Sequence, residues 1–250
     1  MRLARQAWLL ARNDLRQELR RFELVLTAGF FALVVMVMFA LAFYGLDSDA
    51  QLKAVPGMLW LAVAFVGALT LTRVFDRERE SSTFEALLAA PIERLAIYFA
   101  KLGVTMVVLV LCCLMMVPAL VFAFPGASGF LDHPLQTVAL IVVGCLGYAG
   151  IGTLFAAGLA GGGGKNALLS VILYPLTTPF LLYSLAATQR LLQSHPDTWK
   201  TLQAMAAIDL AMLSVAAFLF EMVLVGSSKT PQKQRGAAHF ETTRNSRRKT

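Results

Sequence analysis

The sequence predicts an all-α, polytopic membrane protein with six transmembrane helices, an N-terminal interfacial helix and a short cytoplasmic docking helix between spans two and three. Three observations carry that prediction. The 250 residues are 58% hydrophobic and 15% charged, with a mean hydropathy of +0.67, far from the ~45–50% apolar and ~25% charged of a soluble domain. Six charge-poor stretches approach the ~20 residues needed to cross a ~30 Å hydrocarbon core: Leu24 to Leu46, Ala54 to Thr72, Leu102 to Phe124, Leu135 to Leu159, Ala167 to Ala187 and Ala204 to Val225. Basic residues also segregate: with both termini on one side, 19 of the 22 Lys and Arg fall on that side, the bias that marks the cytoplasm. The net charge of +7 is thereby explained by topology and by contact with anionic headgroups, and calls for no nucleic acid.

The chain opens on residues 1–23, where Trp8, Ala11, Leu15, Leu19 and Phe22 recur on one helical face and Arg5, Arg12, Arg16 and Arg20 lie largely elsewhere. This is the pattern of a helix lying in the inner leaflet. A cleavable signal is not expected, because the region is long and carries Asp14, Glu18 and Glu23, and the apolar stretch after it exceeds a signal core of ~7–15 residues.

Spans one and two follow, and the cytoplasmic segment 76–95 comes next. Its first part, Asp76 to Glu80, is a mixed charge cluster. Ser82-Thr83-Phe84-Glu85 then has the S-x-x-E form of a capping box, which starts a helix. Pro91 ends it by disfavouring helical backbone at Ala90. About two turns result, too few to be stable alone, with Phe84, Leu87 and Leu88 on one face. That face must dock, either on its own bundle or in the groove of a cytosolic partner.

Span four presents small residues at Gly152, Ala156 and Ala160 and at Ala149, Thr153, Ala157 and Gly161, rows that permit close helix contact within a subunit or across a dimer. The connection to span five reads GLAGGGGKNA. A phosphate-binding loop needs G-x-x-x-x-G-K-[ST] after a buried strand, whereas here Leu159 stands at the first glycine position and Asn166 at the hydroxyl position. The run is expected to be a tight turn whose Lys165 follows the positive-inside bias and adds a second, smaller partner contact. In span five, Pro175 and Pro179 are one turn apart, so the helix is expected to be kinked or broken there, with Thr177 and Thr178 re-satisfying freed backbone groups. Either a fixed kink or the moving wall of a path fits this pattern.

Span six alone carries charge, at Asp209 and Glu221, each expected about a turn from a membrane surface and engaged in snorkelling or bundle-facing polar contact. Residues 227–250 are polar, basic and aperiodic, as in a disordered cytoplasmic tail.

Catalytic chemistry is not indicated. Cys112, Cys113 and Cys145 lie inside spans with no C-x-x-C, and are expected to be packing residues rather than metal ligands. His133 and His195 precede prolines in outer loops with no second ligand at helical spacing. No Ser/His/Asp set or carboxylate pair is visible, and no catalytic, cofactor-binding or metal residue is assigned.

Taken in order, several short motifs resemble the haem exporter protein B (CcmB) family of cytochrome c maturation, a branch of the ABC-2-type permeases. They are Pro56-Gly57-x-x-Trp60, Arg73-x-Phe75, Thr83-x-Glu85-x-Leu87-x-x-x-Pro91, Lys101, Leu168-Leu169-Ser170 and Pro175-Leu176-Thr177-x-Pro179. The resemblance runs from about Leu15 to Val225. The chain departs from it at Ser81-Ser82, where the family commonly has an acidic residue and glycine, and in its extended tail.

The resemblance implies a permease domain over residues 1–226 in a bacterial inner membrane, with both termini cytoplasmic. It also implies a cytosolic ABC ATPase subunit that supplies ATP hydrolysis, docked at Ser82, Phe84, Glu85, Leu87, Leu88, Pro91 and Lys165. Pro175, Thr177 and Pro179 would be the kink or pathway residues. Further implied partners are a second permease copy, a tryptophan-rich haem-handling membrane protein and a small accessory subunit, with haem as possible cargo. The runner-up is an ABC-2 exporter of another cargo, such as a lipid-linked glycan or drug. With tryptophan only at positions 8, 60 and 199, the chain lacks a haem platform of its own, and a partner is expected to hold the haem.

Overall fold

The structure is a computed structural model that describes residues 2–21, 23–45, 47–80, 93–160 and 166–227. These residues form α1 (Arg2–Arg21), α2 (Glu23–Phe43), α3 (Ser48–Glu80) and α4 (Arg94–Ala123), a 3-10 turn (Pro125–Ser128), and then α5 (Gly129–Asp132), α6 (Pro134–Ala160), α7 (Asn166–Leu192) and α8 (Thr198–Ser227). Among the described residues, five stretches are long and apolar enough to cross a membrane: Leu26–Phe43, Ser48–Arg73, Arg94–Ala123, Pro134–Ala157 and Thr198–Phe220. The chain is thus a multi-pass, all-helical membrane protein. The expected span Ala167 to Ala187 falls within α7, 27 residues long.

Hydrophobic transfer does not hold such helices together, because lipid tails are as apolar as leucine, so close packing and interhelical hydrogen bonds must. The interface of α3 and α6 shows both. A side chain at Gly144 would collide with the Trp60 ring, and one at Gly67 with the Tyr148 ring. Each helix therefore offers a glycine hollow to an aromatic ring of the other. The rings are also hydrogen-bonded: Trp60 Nε1 donates to Thr188 Oγ1 of α7 (2.7 Å), and Tyr148 Oη donates to the Ala64 carbonyl (2.8 Å). Trp60→Phe, which keeps the ring and deletes the donor, is expected to lower bundle stability by ~0.6–1.7 kcal/mol, readable as a small drop in melting temperature in detergent.

Gly152 likewise receives Leu71 of α3. With Ala149, Thr153, Ala156 and Ala157 all buried, much of the predicted small-residue pattern is used inside the subunit. Four buried hydroxyls are satisfied by their own helices. Thr70, Thr153, Ser184 and Thr188 each donate to the carbonyl four residues earlier, at 2.7 Å.

Two connections depart from the sequence expectation. The loop after α4 was expected as plain outer loop, yet Phe124, Ala127 and Phe130 are buried and the Phe130 carbonyl accepts from Thr137 Oγ1 at 2.8 Å. It forms a cap wedged against α3, α4 and α7. Pro56, expected at the entry of span two, lies in the third turn of α3, which begins at Ser48. Prolines also lie inside α4 (Pro118) and α7 (Pro175, Pro179). The expected break in span five does not occur, since α7 runs continuously from Asn166 to Leu192.

Candidate coupling site

The predicted docking residues Ser82, Phe84, Glu85, Leu87, Leu88 and Pro91, and Lys165 of the glycine turn, lie outside the described residues, as does the tail 228–250. The helices on either side of the predicted docking segment are described: α3 ends at Glu80 and α4 begins at Arg94.

The α4 stem is clasped by α1. Lys101 Nζ donates to Asp14 Oδ2 at 2.7 Å, with the lysine side chain 6% exposed and the aspartate 26%. Just before α4 begins, the Glu93 amide donates to Gln6 Oε1 at 3.2 Å, and Gly103 lets Ala11 approach. α1 therefore turns Ala7, Leu10, Ala11 and Asp14 toward the bundle, whereas Trp8 is 68% exposed. The face of Trp8, Ala11 and Leu15 was expected to meet the inner leaflet, and the contact with α4 is a separate one. Asp14 is a poor lipid residue but a good partner for a buried ammonium, and that ion pair is invisible to an apolar periodicity.

Above the clasp, α4 reaches into the bundle through Tyr98, which is fully buried. Its hydroxyl donates to the Gly150 carbonyl of α6 at 2.9 Å, and its ring lies 5.0 Å from that of Phe220 on α8. The α4 stem is thus packed against α1, α6 and α8 as well as against α3.

Asp14→Ala removes a charge-assisted hydrogen bond to a buried lysine, and a loss of ~1.5–3 kcal/mol is expected. The exchange Asp14→Lys with Lys101→Asp should recover part of that loss, measured as detergent melting temperature against both single variants. No recovery would show that the pair does not act as a unit.

In α7, Thr177 is buried while Pro175 and Pro179 are exposed. The structure therefore does not bring the two predicted proline positions to the interior, and only Thr177 points there. Gly144, Gly147 and Gly150 on α6 were not singled out by the sequence, although spacing of three along one helix face was the signal available. At the opposite end, His133 Nε2 lies 3.3 Å from Ser194 Oγ, in a turn where Ser194 has φ 52. Lys200 Nζ is 2.7 Å from Asp197 Oδ1 and holds that carboxyl below its usual range. No cluster of His, Cys, Asp or Glu suited to a metal occurs among the described residues.

Comparison with known proteins decides the family. The family model described as "CcmB protein" matches residues 5–225. The chain belongs to the CcmB protein family. Among CcmB relatives, "Heme exporter protein B" of Escherichia coli (strain K12) is 28% identical over 182 residues, 72% of this chain and 80% of the relative. That of Pseudomonas aeruginosa is 29% identical over 226 residues (87% and 94%), and that of Bradyrhizobium diazoefficiens 27% over 221 (84% and 92%). The CcmB match takes in the clasp at Asp14 and Lys101, Trp60 in its glycine hollow, and the whole docking segment.

Proposed function

We propose that this CcmB chain is the permease subunit of an ATP-binding cassette complex in cytochrome c maturation. It couples ATP hydrolysis by a cytosolic partner to haem export or to release of a haem-loaded chaperone. The observation that carries the reading is the family match over residues 5–225 with relatives named heme exporter protein B along most of their length. In this reading the chain makes six spans in the bacterial inner membrane, with α7 as the fifth and both termini cytoplasmic. α1 lies along the inner leaflet with its arginines toward anionic headgroups.

The segment holding Ser82, Phe84, Glu85, Leu87, Leu88 and Pro91 seats in a groove of the ATPase subunit, and Lys165 adds a contact on the same face. ATP-driven closure of two such ATPase subunits under two permease copies displaces the α4 stem. The Lys101–Asp14 clasp and Tyr98 pass that displacement to α1, α6 and α8. α7, with the amides of Pro175 and Pro179 missing from its ladder, is the pliable wall, and its Thr177 is the residue turned to the interior. Haem is held by the tryptophan-rich membrane partner, with a small accessory subunit completing the complex.

Deleting the gene tests this directly. Covalent haem staining of c-type cytochromes should vanish while the apoproteins persist, and the wild-type chain in trans should restore it. Normal c-type cytochromes in the deletion strain would assign the permease to another cargo.

A further inference from the structure

The sequence placed Asp209 near the end of a span, but α8 begins at Thr198, which puts Asp209 eleven residues, about 16 Å, inside the helix. It is 1% exposed. Both carboxyl oxygens are buried and neither has a hydrogen-bond partner; among the described residues only Thr105 shares that condition. The space around the carboxyl is shaped for it. A side chain at Gly147 of α6 would collide with Asp209 Oδ1 and with the Phe180 ring of α7, so the glycine leaves a pocket that carboxyl and ring share.

The described charged and titratable groups on the helices packed around this pocket are engaged elsewhere or exposed: Cys145 of α6 faces Cys113 of α4 at 3.9 Å, with Cys112 beside it, and Tyr183 of α7 is exposed. α6 has no charged residue, and its Tyr148 hydroxyl is committed to the Ala64 carbonyl. On α7, Arg190 is bound to Thr201 at 2.6 Å, ten residues beyond Phe180. The Lys101 of α4 belongs to the clasp with Asp14, and Tyr98 of α4 is bound to Gly150. On α8 itself Lys200 pairs with Asp197, and Glu221 stands twelve residues away.

An ionised carboxylate in such a place has neither counter-charge nor donors to replace its lost hydration, whereas the neutral acid loses far less on burial. We propose that Asp209, set in the hollow of Gly147 beside Phe180, is a proton-binding site in the bundle interior, and that losing its proton to water loosens α8 from α6. The bundle thereby carries a proton-dependent latch at the level where α6, α7 and α8 meet. A bare carboxylate left there, against Phe180 and with no donor, is relieved when α8 moves away from α6 and admits water.

Infrared spectroscopy of the purified full-length chain in nanodiscs reads the site without reference to cargo or ATPase. The wild type should show a protonated-carboxyl C=O band that aspartate labelled with carbon-13 shifts, that Asp209→Asn lacks, and that disappears as pH is raised. Over the same interval the wild-type melting temperature should fall while that of Asp209→Asn stays level. Where Asp209→Asn yields no folded protein, the labelled wild type carries the test through coincidence of band loss and melting shift. Absence of a protonated aspartate band, or wild-type and Asp209→Asn melting curves that move in parallel with pH, would overturn the proposal.

Discussion

Gly144→Leu is expected to leave little or no folded protein in the membrane. The glycine faces Trp60 and the Ser184 hydroxyl, and even a single added carbon collides with both. Trp60 cannot retreat freely, because it is 2% exposed and its Nε1 is fixed on Thr188. Overpacking a tight core costs ~1–3 kcal/mol and sometimes more, and here α3 must also separate from α6, losing the Tyr148 contact with Gly67 and its bond to Ala64. Against a typical total stability of ~5–15 kcal/mol, that combined loss is severe. Gly144→Leu together with Trp60→Ala should recover folded protein relative to Gly144→Leu alone, since the smaller residue vacates the collision. Size-exclusion profiles and melting curves of the singles and the double would measure the coupling.

Leu87→Asp is expected to abolish covalent haem attachment to c-type cytochromes while leaving the chain inserted at wild-type levels. The sequence predicts about two helical turns between Ser82 and Pro91, too short to be stable undocked, and a carboxylate at position 87 would remove the predicted apolar face without altering any apolar stretch expected to span the membrane. Membrane abundance is therefore expected to stay near wild type, with haem staining reduced at least tenfold. Retained staining would mean that Leu87 is not part of a coupling contact.

The apolar stretches were legible because a bilayer demands long charge-free runs, and each falls within or nearly within a helix. The helix starts were less so: α3 begins with turns that carry Asp49 and Lys53, paired at 2.6 Å, and α4 begins at Arg94, eight residues before the expected Leu102, because no apolar count includes charged turns. The faces were less legible. Periodicity put Trp8 on the leaflet face of α1, and the pair Asp14–Lys101 adds a contact with α4 that periodicity does not show. The contact between α3 and α6 depends on which glycine meets which ring, and Gly67, Gly144, Gly147 and Gly150 read as ordinary small residues until their partners are known. Of the kink or break expected in α7, the break does not occur, because one missing donor per proline need not interrupt a helix held within a bundle. The docking segment itself rests on capping and proline signals together with the family match.

The central claim is that this chain is the membrane half of an ATP-driven complex, and affinity purification from native membranes tests it most directly. A tagged wild-type chain solubilised in mild detergent should bring down an ABC ATPase subunit in about equal amount, and Leu87→Asp should lose it while keeping the tryptophan-rich membrane partner. A wild-type chain that purifies without any ATPase, under conditions that preserve its membrane partners, would contradict the claim.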